Sequence, residues 1–229
     1  MIELNNVKKR FGFRTVLSGV SFQAPKDAIT CLTGLNGTGK TTILKSIMGL
    51  TPIHGGTITI DGSPLHHTSY ERIVFVPDQL PMPGRMTVEG CLEFMSDHYR
   101  NWNPERAAEL TQMFKLGLQD RVGSMSKGTA AKLNLLLALA MNADYMLMDE
   151  PFSGIDMFSR EQIASVFSSE LVEGRGVILT THEVKEIEHL LDYVVMLDNG
   201  RITKQFACED IRLAEGKSVV DVMREVYET

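Results

Sequence analysis

The residues best placed to do chemistry lie in one run, Gly34-Leu35-Asn36-Gly37-Thr38-Gly39-Lys40-Thr41-Thr42, which fits the pattern G-x-x-x-x-G-K-[ST]. Its glycines let the backbone curl around an anion without Cβ clashes, so successive N–H groups can point inward. Lys40 can reach the outer phosphates of a polyphosphate, and Thr41 offers a hydroxyl to Mg²⁺. The context is as demanding as the run. Residues 28–33 before it read as a short buried strand. After it, Ile43, Leu44, Ile47 and Met48 are apolar at helical spacing, closed by Gly49. A helix opening at the loop adds unpaired donors and a positive dipole end.

Other polar groups stand at the ends of apolar runs. Asp149 and Glu150 close the run 145–148. In a parallel sheet, ligands gather at the carboxyl ends of strands. Two adjacent acids there are costly unless a metal or hydrogen bonds share their charge, which points to Mg²⁺ and water handling. His182 ends a second such run, 176–181, where it can donate to a phosphate or serve a structural role. Asp78 and Gln79 follow the run 73–76, stopped by Pro77; beside the phosphate loop they would bind water or metal, or simply be solvated. Ser126-Lys127-Gly128 opens a long apolar helix, as a second anion site or as a plain helix start. Phe11 offers a ring to stack on a purine, or an ordinary half-buried aromatic.

The elements that position these groups can be read in outline. Short strands are expected over residues 2–7, 15–17 and 20–23, with Gly12 and Gly19 as turns, and over 55–60 before the Asp61-Gly62 turn. From residue 80 to 141 the texture turns helical: Thr87 caps a helix to about His98, and Asn103-Pro104 opens another. Trp102 reads as a packed core residue more readily than as a partner contact. Residues 193–197 and 201–203 flank the Asp198-Asn199-Gly200 turn of a hairpin. A helical tail follows from about Cys208, its stripe of Val219, Val222, Met223 and Val226 read as core packing.

Composition sets outer bounds. A chain of 229 residues with 43% hydrophobic and 23% charged residues suits a globular domain. Its apolar runs fall short of the ~20 residues that span a bilayer. Three cysteines without a C-x-x-C pair argue against a disulfide framework and for a reduced, cytosolic setting. The net charge of −6 gives no general pull toward nucleic acid, and no nucleic-acid partner is expected.

Taken in this order, the motifs resemble those of the nucleotide-binding subunit of an ATP-binding-cassette (ABC) transporter, over nearly the whole chain. Gly34 to Thr42 resembles the Walker A loop, Asp149 the Walker B aspartate and Glu150 the adjoining catalytic glutamate. Ser126-Lys127-Gly128 resembles the family signature, Ser153-Gly154-Ile155-Asp156 the D-loop, His182 the switch histidine and Phe11 the adenine-stacking aromatic. Two positions depart from the pattern. Asp78 stands where the Q-loop glutamine is usual, with Gln79 one residue later, and Thr129 replaces the glutamine that ends the signature.

The resemblance implies an α/β fold: a P-loop NTPase core (residues 1–78 and 142–229) with a mixed sheet and N-terminal antiparallel strands, and an inserted helical subdomain (79–141). It implies ATP and Mg²⁺ as cofactors, with Thr41 and Asp149 toward the metal and Asp78 or Gln79 as further candidates. It further implies ATP hydrolysis through a head-to-tail dimer, homomeric or heteromeric, that drives a transmembrane permease from the cytoplasmic face of the membrane. The Ser-Lys-Gly signature and Asn101-Trp102-Asn103 are similar to an exporter-type branch. A non-transport ABC ATPase, or a low-turnover regulatory module, is the alternative.

Overall fold

The computed structural model describes residues 1–167 and 173–227. Two sheets frame the molecule. β1 (Ile2–Phe11) and β2 (Arg14–Ala24) form an antiparallel hairpin. β4 (Gly55–Ile60) pairs with the other edge of β1 and carries the two-residue β5 (Ser63–Pro64), giving the order β2-β1-β4-β5. The second sheet runs β10-β9-β3-β8-β7-β6. In it β3 (Ala28–Thr33), β6 (Ile73–Val76), β7 (Tyr145–Asp149), β8 (Gly176–Thr180) and β9 (Tyr193–Asp198) are parallel. β10 (Arg201–Ala207) returns antiparallel as the expected hairpin.

Every residue of β3, β7 and β8 is buried, as strands covered on both faces must be. Alternation splits their side chains between two hydrophobic clusters. Leu32, Leu147 and Ile178 face α1 (Lys40–Ile47) and the antiparallel sheet, where Ile43, Leu44 and Ile47 are wholly buried. Burying each such side chain contributes ~2 kcal/mol. Cys31, Met146, Met148, Val177 and Leu179 face the opposite cluster, which gathers the helices that follow.

Those helices start where their capping residues dictate. Thr87 accepts from the Gly90 N–H at 3.1 Å to open α2 (Val88–His98). Asn103 accepts from the Arg106 N–H at 2.9 Å ahead of Pro104 in α3 (Pro104–Met113). Ser126 accepts from the Thr129 N–H at 3.1 Å to open α4 (Lys127–Leu139). Trp102 is packed into the core between α2 and α3, with its backbone bridged to Met141. α5 (Met157–Phe167) and the short α6 (Val184–Ile187) follow β7 and β8.

Two local expectations give way to the structure. Gly19 is no turn: β2 runs through it without a break, and only the register slips there. β6 does not lie beside the phosphate loop; it is the sheet's edge, parted from β3 by β7 and β8. The C-terminal tail is helical from Cys208 as expected, and it is two helices, α7 (Cys208–Glu215) and α8 (Val219–Tyr227), because Gly216 turns left-handed after the first. Val219 and Val222 are buried and Met223 and Val226 pack against the same cluster, so the stripe is core. Cys31, Cys91 and Cys208 are free and buried.

Candidate active site

The six-stranded sheet brings three strand ends abreast. In register, Thr180 of β8 lies between Leu32 of β3 and Asp149 of β7. The loop 34–39 leaves β3, the Asp149-Glu150 pair ends β7, and His182 follows β8. Groups far apart in the chain therefore meet at one edge, the carboxyl end of the parallel strands.

The glycine loop is tight for a steric reason. A Cβ on Gly34 would lie 2.2 Å from the Leu197 carbonyl oxygen. Gly39, at φ +115, caps α1 without a side chain, so no side-chain oxygen competes for the first-turn N–H groups. Lys40 is 7% exposed, and its ammonium donates to the carbonyls of Gly34 at 2.7 Å and Leu35 at 3.2 Å. Thr38 donates its hydroxyl to the Leu35 carbonyl at 2.8 Å, which closes the loop from within. Asn36 and Gly37 form its exposed rim, and Thr42 sits in the first turn of α1.

Thr41 links this cradle to the carboxylates. Its hydroxyl donates to Asp149 Oδ1 at 3.0 Å, and the Thr180 hydroxyl donates to the same oxygen at 2.8 Å. The Glu150 N–H in turn donates to Thr180 Oγ1 at 3.0 Å. Glu150 takes a left-handed backbone, φ +51, and its carboxylate Oε2 lies 2.9 Å from His182 Nδ1. The His182 N–H donates to the same oxygen at 3.3 Å. Glu150 is thus held from the backbone side by β8 and from the side-chain side by His182. The cradle, its uncapped helix end and a threonine–aspartate pair form a set of donors and hard oxygens that fits a nucleotide polyphosphate with a divalent cation.

The remaining candidates sit elsewhere. Lys127, Asp78, Gln79, Glu150 and Ser153 line one cleft of about 400 Å³, and the residues of the glycine loop are not among its walls. Asp78 and Gln79 are both exposed, at the foot of a segment whose Pro77 carbonyl accepts from the buried Asn134 side chain at 2.7 Å. Gly128 packs against the start of α5: a Cβ there would meet Ser159 Oγ at 2.4 Å and Asp156 Oδ2 at 2.9 Å. Asp156 is committed to that helix start, accepting from the Ser159 N–H at 3.0 Å and hydroxyl at 2.7 Å, bonds that hold its carboxyl below the usual carboxylate range. Phe11 ends β1 with half of its surface exposed. Sequence reading passed over Thr180, Ser159 and Asn134. The signal available for Thr180 was a buried hydroxyl one strand position short of the polar run that includes His182.

Strand, glycine loop and helix, joined through Thr41 to an acid at a neighbouring strand end, make this a P-loop nucleotide-binding protein. The ABC transporter profile matches residues 17–153, and the chain belongs to that family. It is an ABC-type ATPase. It is 31% identical over 210 residues to the linearmycin resistance ATP-binding protein LnrL of Bacillus subtilis (strain 168), covering 88% of this chain and 68% of that one. It is 30% identical over 213 residues to the lipopolysaccharide export system ATP-binding protein LptB of Haemophilus influenzae, covering 88% of each. A solved ATP-binding subunit of an ABC transporter matches 99% of both chains with a TM-score of 0.88 at 26% identity.

Proposed function

We propose that this chain hydrolyses Mg-ATP to drive a membrane permease, in the direction of export, as one half of an ATP-sandwiched dimer. The observation that carries the chemistry is the Thr41–Asp149 hydrogen bond, which joins the phosphate cradle to the paired carboxylates. In this reading Gly34, Leu35, Asn36, Gly37, Thr38, Gly39 and Thr42 cradle the phosphates and Lys40 turns from the loop carbonyls to the outer phosphate. Thr41 and Asp149 hold Mg²⁺, which supplies charge neutralisation when bound. Asp78 or Gln79 approaches from the cleft shared with Glu150. Phosphoryl transfer is chiefly positioning and charge stabilisation, so Glu150 orients and polarises the attacking water while His182 fixes the carboxylate and senses the outer phosphate.

The dimer accounts for the placement of Ser126, Lys127 and Gly128. In their own chain Gly128 borders α5 and Lys127 lines the side cleft, whose walls exclude the glycine loop. A second copy, or a related subunit, would complete each site with that helix start, and Asp156 would lie at the seam. Among the described residues no helix is long and apolar enough to cross a membrane. In this reading a permease subunit supplies the passage and holds this chain at the cytoplasmic face. The names of the two relatives, lipopolysaccharide export and linearmycin resistance, support the outward direction. Residues 79–141 form the block that moves on ATP closure and carries the motion to the permease.

The molecular mass of Glu150→Gln in solution, with and without Mg-ATP, tests the reading. Doubling with Mg-ATP, together with retained ATP affinity and lost turnover, is the expected result. A monomer at saturating Mg-ATP overturns the self-completed sandwich, and normal turnover removes Glu150 from its role.

A further inference from the structure

Lys9 is a cation that the fold has buried, with 4% of its surface exposed. A buried ammonium is costly unless neighbours replace its water. Here the Pro52 carbonyl accepts from Lys9 Nζ at 2.6 Å, and the Phe11 ring takes another side, its centroid 4.6 Å from Nζ. The segment that supplies the carbonyl is fastened to β1, since the His54 N–H donates to the Lys8 carbonyl at 2.7 Å. Lys9 is therefore fixed from behind, and Phe11 presents 52% of its surface to solvent in front of it.

We propose that Lys9 is a positioning residue for the nucleotide base: it closes one face of the Phe11 ring and leaves the other to a purine. The inference rests on Phe11 being the base-stacking side chain. Two effects follow from the cation. The ring is ordered before ligand arrives, so less side-chain freedom is lost on binding. An ammonium on the far face also draws on the ring's electron density, which improves stacking with an electron-rich purine. Lys9 thus acts through Phe11 and the base, while the phosphates are bound by the glycine loop.

The test is calorimetric titration of the full chain with Mg-ATP and, separately, with base-free inorganic tripolyphosphate plus Mg²⁺. Lys9→Met and Lys9→Gln are each expected to weaken ATP about three- to tenfold and to leave tripolyphosphate within about twofold. Gln keeps a donor near Pro52, so it carries the test if Met fails to fold. Lys9→Arg retains a cation over the ring and is expected to restore most of the ATP affinity. Turnover at saturating ATP stays unchanged. In a Phe11→Ala background, removing Lys9 adds no further loss. Equal weakening of ATP and tripolyphosphate overturns the proposal, as does an unchanged ATP affinity in Lys9→Gln while Phe11→Ala weakens it. If Phe11→Ala itself leaves ATP affinity unchanged, the stacking role of Phe11 fails and this inference falls with it.

Discussion

Thr180 donates its hydroxyl to Asp149 Oδ1 at 2.8 Å, across the seam between β8 and β7. The same hydroxyl oxygen accepts from the Glu150 N–H at 3.0 Å, so one wholly buried threonine orients both acids. Thr180→Val keeps the shape and removes both bonds. Among the described residues Asp149 then keeps only the Thr41 hydroxyl, in a site only 6% exposed. The expected cost is about 1–3 kcal/mol of stability, the range for stranding a buried polar group. Turnover is expected to fall roughly tenfold through misplacement of the carboxylates. Thr180→Ser should recover most of both. Denaturant titration and a steady-state ATPase assay check this, and a Val variant indistinguishable from wild type would show that the seam does not position the acids.

Glu150 occupies a left-handed backbone at φ +51, where any side chain carries strain that glycine escapes. Glu150→Gly and Glu150→Ala both remove the carboxylate and its bond to His182, so their difference isolates the backbone. The glycine variant is expected to be the more stable by about 1 kcal/mol, although both lose turnover. An alanine variant as stable as the glycine variant, by urea unfolding, would mean that the backbone relaxes at no cost.

Chemistry that is local in the chain was legible in the sequence. Thr87, Asn103 and Ser126 cap the helices expected of them, and the all-buried runs of β3, β7 and β8 formed parallel strands. The glycine loop, the Asp149-Glu150 pair and His182 fell at strand ends for the same reason. Strand order was not legible, because pairing is decided by contacts across the chain. The run 73–76 reads alike at an edge or beside β3, and its edge position puts Asp78 and Gln79 next to β7. Gly19 looked like a turn, yet β-pairing with β1 carries the strand through it. The contacts of Thr180 with Asp149, Ser159 with Gly128 and Asn134 with Pro77 join residues at least 30 positions apart, so the chain order does not announce them.

Gly128 and Ser159 touch more closely than a side chain would permit. A Cβ on residue 128 would meet Ser159 Oγ at 2.4 Å and Ser159 Cβ at 2.9 Å. Gly128→Ala should therefore destabilise the isolated chain by about 1–3 kcal/mol, apart from any effect on nucleotide. Ser159→Gly removes two of the three obstructing atoms and leaves Asp156 Oδ2 at 2.9 Å, at the cost of helix propensity, about 1 kcal/mol, and of the hydroxyl bond to Asp156. The double variant is expected to be more stable than the sum of the two changes predicts, by about 1 kcal/mol or more. Strict additivity in a double-mutant cycle would mean that the alanine finds room elsewhere.

Asp144 stands at the end of β7 opposite Asp149 and ties three segments together. Its carboxylate accepts from Lys26 Nζ at 2.7 Å and Arg72 Nε at 2.6 Å, while Arg72 also reaches Asp61 at 2.5 Å. The Lys26 bond is the largest cause that holds the Asp144 carboxyl below the usual carboxylate range; burial opposes it, and the Arg72 guanidinium adds to the lowering. A depressed carboxyl gives stability that is present above its unfolded pKa and lost as pH falls through its folded one. The wild-type advantage over Asp144→Asn should therefore hold steady from neutral pH down to about pH 4 and shrink below that. Its size is kept to about 1 kcal/mol because the side chain is 33% exposed and solvent screens the pairs. Added salt should narrow the gap further at neutral pH. Urea unfolding of both proteins at pH 7, 5 and 3.5 reads the difference directly, and an advantage that grows toward low pH would reverse the sign argued here.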